Sequence, residues 1–365
     1  MSIARDLDGY QTPIPVVDLD RMESNLDRMA AYTRDHRLHL RPHVKTHKSL
    51  RVAAAQVVRG AAGLTCATPR ELEVMSGASA SLLLGYPPVG AGRLARLLAV
   101  PEPVELRVSL DSAQAIDGLA AAASAAGRPV AVLVEVDLGM RRVGVATAEE
   151  LVLLARRATD ATGLSFEGIA FYPGHIRSGG PESDDAIRRV SNALAGMLDA
   201  LAGAGLAART VSGGSTPTAW RSHEIAGVTE IRPGTYVYND RATVACGVAQ
   251  RDDCALTVLA TVVSTAVPGQ AVVDAGTKSL GREPRGGDEQ FGFGELWDRP
   301  EVVVRAMSEE HGILDLSRTA WRPVIGEVVR IIPNHVCIVT HLFDGVIGIR
   351  GNEVVEAWQV AARGR

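Results

Sequence analysis

Val130-Ala131-Val132-Leu133-Val134-Glu135-Val136-Asp137 is apolar on both alternating faces until it nears its end, the mark of a strand covered on each side. It runs into Asp137-Leu138-Gly139-Met140-Arg141-Arg142-Val143-Gly144, a polar loop with two glycines, before helical spacing resumes. Seven other segments have the same character: Leu38–His43, Leu64–Ala67, Ser81–Tyr86, Val104–Leu110, Phe166–Tyr172, Thr210–Ser212 and Glu230–Arg232. Helical runs separate them. The clearest spans Ser183–Leu206, where Ile187, Val190, Leu194, Met197, Leu198 and Leu201 recur at three- and four-residue steps. Another helix is expected over 20–35. Asp111 and Thr147 stand where N-caps belong, and Gly127 and Gly163 where helices should stop. Eight βα units within about 220 residues predict an α/β fold, a (β/α)8 TIM barrel rather than an open doubly wound sheet.

Beyond Cys246 the texture changes. Segments 255–267, 270–276, 301–307, 324–332, 335–343 and 345–350 read as closely spaced strands, with a glycine-rich loop over 281–294. The expected organisation is an N-terminal barrel over 20–245 and a C-terminal antiparallel β domain over 246–365, joined by a strand from 1–19.

The composition supports a globular enzyme. Of 365 residues 46% are apolar and 22% charged, enough for a large core and too few charges for disorder. Thirty-eight basic against 42 acidic residues give a net charge of −4, which argues against a nucleic-acid partner. No apolar stretch reaches the roughly 18 residues of a membrane span. The opening MSIARDLDGYQTP has no apolar centre, so a cytoplasmic location is expected. Cys66, Cys246, Cys254 and Cys337 are too sparse for a disulfide framework.

Three constellations carry chemistry. Arg41-Pro42-His43-Val44-Lys45-Thr46-His47-Lys48 straddles the C-terminal end of the first barrel strand, the face on which barrels place their active sites. Strand parity would point Arg41, His43 and Lys45 the same way. A lysine shielded there among cations would have a lowered pKa and act as an amine nucleophile; the alternative is a solvated basic loop. Ser212-Gly213-Gly214-Ser215-Thr216-Pro217-Thr218 follows the seventh strand, and Arg232-Pro233-Gly234-Thr235-Tyr236 the eighth. Two such turns suit the phosphate corner of a barrel, although a tight turn and a helix cap would explain the first equally. A phosphate corner opposite a lysine points to pyridoxal phosphate, with Lys45 as its Schiff-base partner. Arg142 or Arg232 could face the pyridine nitrogen, and a cation there weakens the ring as an electron sink. Tyr172-Pro173-Gly174-His175 adds a ring and an imidazole to the rim.

The third constellation is Pro333-Asn334-His335-Val336-Cys337. On a strand, His335 and Cys337 would share a face about 6–7 Å apart. Imidazole and thiolate favour zinc over magnesium or calcium, and two protein ligands leave positions for substrate. His341 would lie too far along that strand to be a third ligand.

RPHVKTHK, VDLGMRRVGV, YPGH, VSGGSTPT, EIRPGTYVYND, VVDAGTKSLG and PNHVC occur in this order, with WQVAARGR at the end. Together they resemble the D-threonine aldolase / D-serine dehydratase family, the metal-dependent branch of the fold type III (alanine racemase-like) pyridoxal phosphate enzymes. The resemblance implies a barrel plus β domain, a homodimer, and lyase chemistry on D-3-hydroxy amino acids. It implies Lys45 as the Schiff-base lysine, and Gly213, Gly214, Ser215, Gly234 and Tyr236 in phosphate-binding turns. Ser212, Thr216 and Tyr172 join the cofactor set, and Arg142, with Arg232 as second candidate, is placed near the pyridine nitrogen. His175 becomes a catalytic participant. His335 and Cys337 become the ligands of a divalent metal, zinc first, with manganese or magnesium as alternatives. Retro-aldol cleavage to glycine and an aldehyde leads; dehydration to a keto acid and ammonia is the alternative. A racemase or a non-catalytic pyridoxal phosphate-binding protein are further readings. Three features depart from the pattern: HxC where several aldolases have HxD, His341, and Ile176 after the GH turn.

Overall fold

The computed structural model describes residues 7–364. The chain divides into two compact units, one of residues 27–45, 49–234 and 362–364, the other of residues 7–26, Thr46–Lys48 and Thr235–Ala361. The division falls at Gly234/Thr235, earlier than the expected 245/246, and the part of the expected first strand over 1–6 lies outside the described residues.

In chain order the first elements are β1 (Ile14–Asp18), α1 (Leu19–Asp35), β2 (His39–Leu40), α2 (Leu50–Val58), β3 (Leu64–Cys66), α3 (Pro69–Met75), β4 (Ser81–Leu84), α4 (Ala91–Leu98), β5 (Glu105–Leu110) and α5 (Ala113–Ala126). There follow β6 (Val130–Glu135), α6 (Ala148–Asp160), β7 (Leu164–Ala170), α7 (Asp184–Gly203), β8 (Thr210–Gly213) and β9 (Glu230–Ile231). Strands β2–β9 form one eight-stranded parallel sheet in the order β2-β9-β8-β7-β6-β5-β4-β3. A lone parallel bridge, His43 to Thr65, joins β2 to β3 and closes the ring. This is the expected TIM-type barrel. Alternation along β6 explains its apolar sequence: Val132 and Val134 pack outward into the layer shared with Leu119, Leu154 and Leu194, while Leu133 packs inward with Leu83 and Ala170.

Several strands stop short of their expected C-terminal ends, because residues such as Gly85 and Asp137 belong to the loops of the mouth. Two caps differ as well. Ser112, not Asp111, caps α5 by accepting from the Ala115 N–H, while Asp111 accepts from Gly144 N at 3.0 Å. Thr147 and Glu150 form a capping box on α6, and Gly127 ends α5 at φ +62°. Gly163 lies two residues past the C-cap Ala161 of α6. Helix α7 ends three residues early, where Leu206 N–H bonds back to Leu201 O and Gly205 takes φ +73°.

The other unit adds α8 (Arg241–Ala245), β10 (Leu256–Ser264), β11 (Gln270–Val273), α9 (Thr277–Leu280), β12 (Gly294–Leu296), β13 (Val304–Met307), β14 (Gly312–Asp315), β15 (Val328–Pro333), α10 (Val336–Leu342), β16 (Gly345–Arg350) and β17 (Glu353–Gln359). With β1 these strands make a nine-stranded sheet, antiparallel except where β1 runs parallel to β16. Residues 335–343, expected as a strand, instead form α10 with His335 as its N-cap. Among the described residues no helix is long and apolar enough to cross a membrane.

Candidate active site

In the barrel unit, Lys45 lies on a single 3-10 turn, Val44–Thr46, just past β2. The turn ends the strand parity assumed for Arg41, His43 and Lys45. Arg41 is 2% exposed and ion-paired to Glu230, whereas Lys45 is exposed rather than shielded. Its side chain lines a cavity of about 360 Å³ together with His43, Tyr86, Asp111, Glu135 and Arg142. The barrel therefore brings Lys45 and Arg142 into one mouth. Sequence reading missed the carboxylates there, although Asp111 directly follows β5 and Glu135 ends β6 on the face it singled out. Glu135 is buried and accepts a hydrogen bond from Ser109.

The glycine turn after β8 is closely packed. A side chain on Gly213 would meet the Phe171 ring at 2.2 Å, and Gly214 takes φ +87°. Ser215 and Thr216 are buried, and the Ser215 N–H donates to Thr218 Oγ1 at 3.1 Å. Ser212 is withdrawn as a phosphate donor, because its hydroxyl donates to Glu230 Oε1 at 2.6 Å inside the Arg41 network. Arg232, at the end of β9, donates through Nη2 to Phe171 O at 2.8 Å, but its buried Nη1 has no hydrogen-bond partner among the described residues. A buried, unpartnered guanidinium nitrogen is costly unless a ligand completes it. That observation favours Arg232 over Arg142 as the arginine for a pyridine nitrogen. Arg142 instead lies 4.9 Å from the Tyr172 ring centroid. A cradle, an orphaned donor and an amine in one barrel fit pyridoxal phosphate.

His175 follows β7 in the Tyr172–His175 turn. Partial burial pushes its imidazole below the ordinary value, with Asp137 opposing and Arg189 adding to the shift. The residue after it, Ile176, is 2% exposed and packs in the outer barrel core, so this departure from the family pattern is a packing feature.

In the other unit, Tyr236 is buried on the turn Thr235–Val237. His335 and Cys337 come together at the start of α10, not along a strand. His335 Nδ1 lies 3.2 Å from Oδ2 of Asp240, which is fully buried and also accepts from Val336 N at 3.1 Å. Nδ1 is thus spent on a carboxylate, which leaves Nε2 as the nitrogen for an ion, a known second-shell device for metal-binding histidines. The Cys337 sulfur beside it, together with the bond to Asp240, outweighs desolvation and raises His335 to about 11. Thr46, the residue after Lys45 in sequence, places Oγ1 3.2 Å from Cys337 Sγ. Among the described residues no three His, Cys, Asp or Glu side chains form a complete metal cage. The imidazole and sulfur donors fit a zinc-class ion that keeps open positions. His341 is exposed on α10. Asp240 escaped sequence reading; its only local signal was an N-cap pattern, Asp240 with Thr243, ahead of α8.

Residues 17–242 match the family described as Alanine racemase, N-terminal domain, and residues 255–349 the Putative serine dehydratase domain. A D-threonine aldolase from Arthrobacter sp. is 31% identical over 362 residues, 97% of this chain and 93% of that protein. A D-threo-3-hydroxyaspartate dehydratase from Delftia sp. (strain HT23) is 35% identical over 367 residues, 95% of this chain and 96% of that protein. The crystal structure of D-threonine aldolase from Filomicrobium marinum superposes with a TM-score of 0.93 at 32% identity, covering 100% of this chain and 98% of that one. Two matched domains in the same order, with whole-length likeness in sequence and fold, place this chain in the D-threonine aldolase / D-serine dehydratase family of alanine racemase-like proteins.

Proposed function

We propose that the protein is a lyase acting on D-3-hydroxy amino acids, cleaving them by a retro-aldol reaction to glycine and an aldehyde. The observation that carries the reading is the Asp240–His335–Cys337 arrangement, a preoriented imidazole and a sulfur donor, in a chain that also offers Lys45 in a barrel-mouth cavity. Pyridoxal phosphate on Lys45 would supply an electron-withdrawing ring for the substrate's α-carbon. A divalent ion on His335 and Cys337, zinc by its donor set, would supply Lewis acidity toward the substrate hydroxyl.

The remaining work belongs to the chain's own groups. Arg232, with its buried and unpartnered Nη1, would be the donor for the ring nitrogen, and a cation there would disfavour protonation of that nitrogen. Gly213, Gly214, Ser215, Thr216 and Gly234 would hold the phosphate, with Tyr236 as a further phosphate residue. Tyr172 and Arg142 wall the mouth as a stacked pair. His175 is exposed, and partial desolvation holds its imidazole below the ordinary value, so its neutral form can accept the β-hydroxyl proton that carbon–carbon cleavage requires. Dehydration is the second reading, and Cys337 favours it: a sulfur donor selects zinc, and a strong Lewis acid helps hydroxide leave.

A homodimer is part of the same reading, as the family resemblance implies. Among the described residues none of the four cysteines is in a disulfide, which supports a reducing compartment. The test is to load the protein with pyridoxal phosphate and zinc and to supply D-threonine, D-phenylserine and D-serine. Glycine with an aldehyde supports the aldolase. Keto acid with ammonia alone replaces it by the dehydratase, and turnover unaffected by a chelator removes both.

A further inference from the structure

The His175 imidazole makes no hydrogen bond among the described residues. A histidine that moves protons is ordinarily aimed by a hydrogen bond from its second nitrogen. What touches this ring instead is the backbone of Gly139. A β-carbon built there would stand 3.0 Å from Cε1 and 3.1 Å from Nε2 of His175. Gly139 has φ +123°, a conformation that side chains rarely adopt, so glycine is required both by the backbone and by the ring above it.

The turn that presents this surface is held from below. Asp137 Oδ1 accepts from Gly139 N at 2.8 Å and from Arg141 N at 3.0 Å, and Oδ2 from Arg141 N at 2.9 Å. The Tyr172–His175 turn is closely packed at its own glycine. A β-carbon on Gly174 would meet the Tyr172 ring at 2.2 Å and the Met140 sulfur at 3.0 Å. The two turns interlock through hydrogen-only faces, with the imidazole resting on one of them.

We propose that Gly139 and Asp137 are positioning residues for His175: Gly139 is the platform that sets the direction of the imidazole, and Asp137 is the staple that holds the platform. The proposal rests on the reading of His175 as the proton acceptor. Asp137 contributes charge as well as geometry. It and Arg189 are the charged groups acting on His175, with opposite signs.

The test is a double-mutant cycle on the cofactor- and zinc-loaded enzyme, with Gly139→Ala, His175→Gln and both together. Gly139→Ala should lower kcat about tenfold with KM nearly unchanged, because sub-ångström misplacement of a reacting group is enough for such a loss. In the His175→Gln background the same substitution should cost nothing further. Equal losses in both backgrounds, or a Gly139→Ala enzyme as fast as the parent, would overturn the proposal while leaving His175 as the acceptor. A His175→Gln enzyme with full turnover would instead remove the functional reading beneath it. Asp137→Asn keeps an oxygen acceptor for the turn and carries the same cycle if Gly139→Ala does not fold. It should also move the titration of the His175 Cε1 resonance, followed by NMR, to lower pH; an unmoved midpoint would overturn the part assigned to Asp137.

Discussion

Asp240 shows how much of the candidate site depends on a fully buried residue behind it. Its carboxylate, fully buried, orients the His335 imidazole and caps the first N–H of α10, while its Oδ1 caps α8. Asp240→Asn retains an N-capping side chain but loses the charge that fixes the imidazole, so zinc affinity should fall about 10–100-fold. Competition with a chromophoric chelator measures this, and an unchanged affinity would make Asp240 a cap alone. Sequence reading could not reach this pairing, because the partners stand 95 positions apart and the acid has no motif of its own. His175 makes a prediction through its own titration. Its folded pKa lies below the ordinary 6.5, so as pH falls from 6.5 toward that value the unfolded chain takes up the proton first. Stability at this position is therefore intact above 6.5 and lost on acidification. Urea unfolding at about pH 7.5 and 5.5 should show a larger loss for the parent than for His175→Gln; equal losses would mean that the imidazole is not desolvated.

At the scale of elements, the barrel's first and last strands, β2 and β9, are its two shortest and pair only at His39 to Glu230 and Leu40 to Ile231. A buried network reinforces that seam. Arg41 Nε donates to Glu230 Oε2 at 2.7 Å, Ser212 donates to Glu230 Oε1, and Arg41 Nη1 reaches Ser81 Oγ at 3.0 Å. Glu230→Leu leaves the Arg41 cation buried without its partner and should cost about 3–5 kcal/mol; the double variant Arg41→Met/Glu230→Leu should recover much of it. Thermal unfolding of the two variants decides the matter, and a double variant as unstable as the single would show that the seam depends on the ion pair itself. The eight strands were legible because each is a short apolar run bounded by polar loops or glycine, a pattern set locally. Residues 335–343 were not. The β-branched run Val336-Cys337-Ile338-Val339-Thr340 reads as a strand, yet Asp240 caps its first N–H and Thr340 Oγ1 donates to Thr46 O at 2.6 Å. Contacts from distant parts of the chain override local propensity there. At the start of that helix the His335 and Cys337 side chains interact with each other.

For the molecule as a whole, the division into two units separates two kinds of chemistry. The barrel unit holds Lys45, Arg142, Arg232 and the glycine cradle, while the other holds Asp240, His335 and Cys337. Loading with cofactor and loading with metal should then be separable. After chelation, borohydride should still fix a pyridoxyl group on Lys45 in full yield, as peptide mapping would show, while turnover disappears. His335→Ala should behave in the same way, whereas Lys45→Ala should lose the label and retain zinc. On the proposed reading the metal would act on the substrate hydroxyl alone, and its candidate ligands stand at the start of α10 rather than on a barrel strand. Release of the cofactor by the chelator, or a label that survives Lys45→Ala, would break this partition and with it the assignment of the amine and the ion to separate tasks.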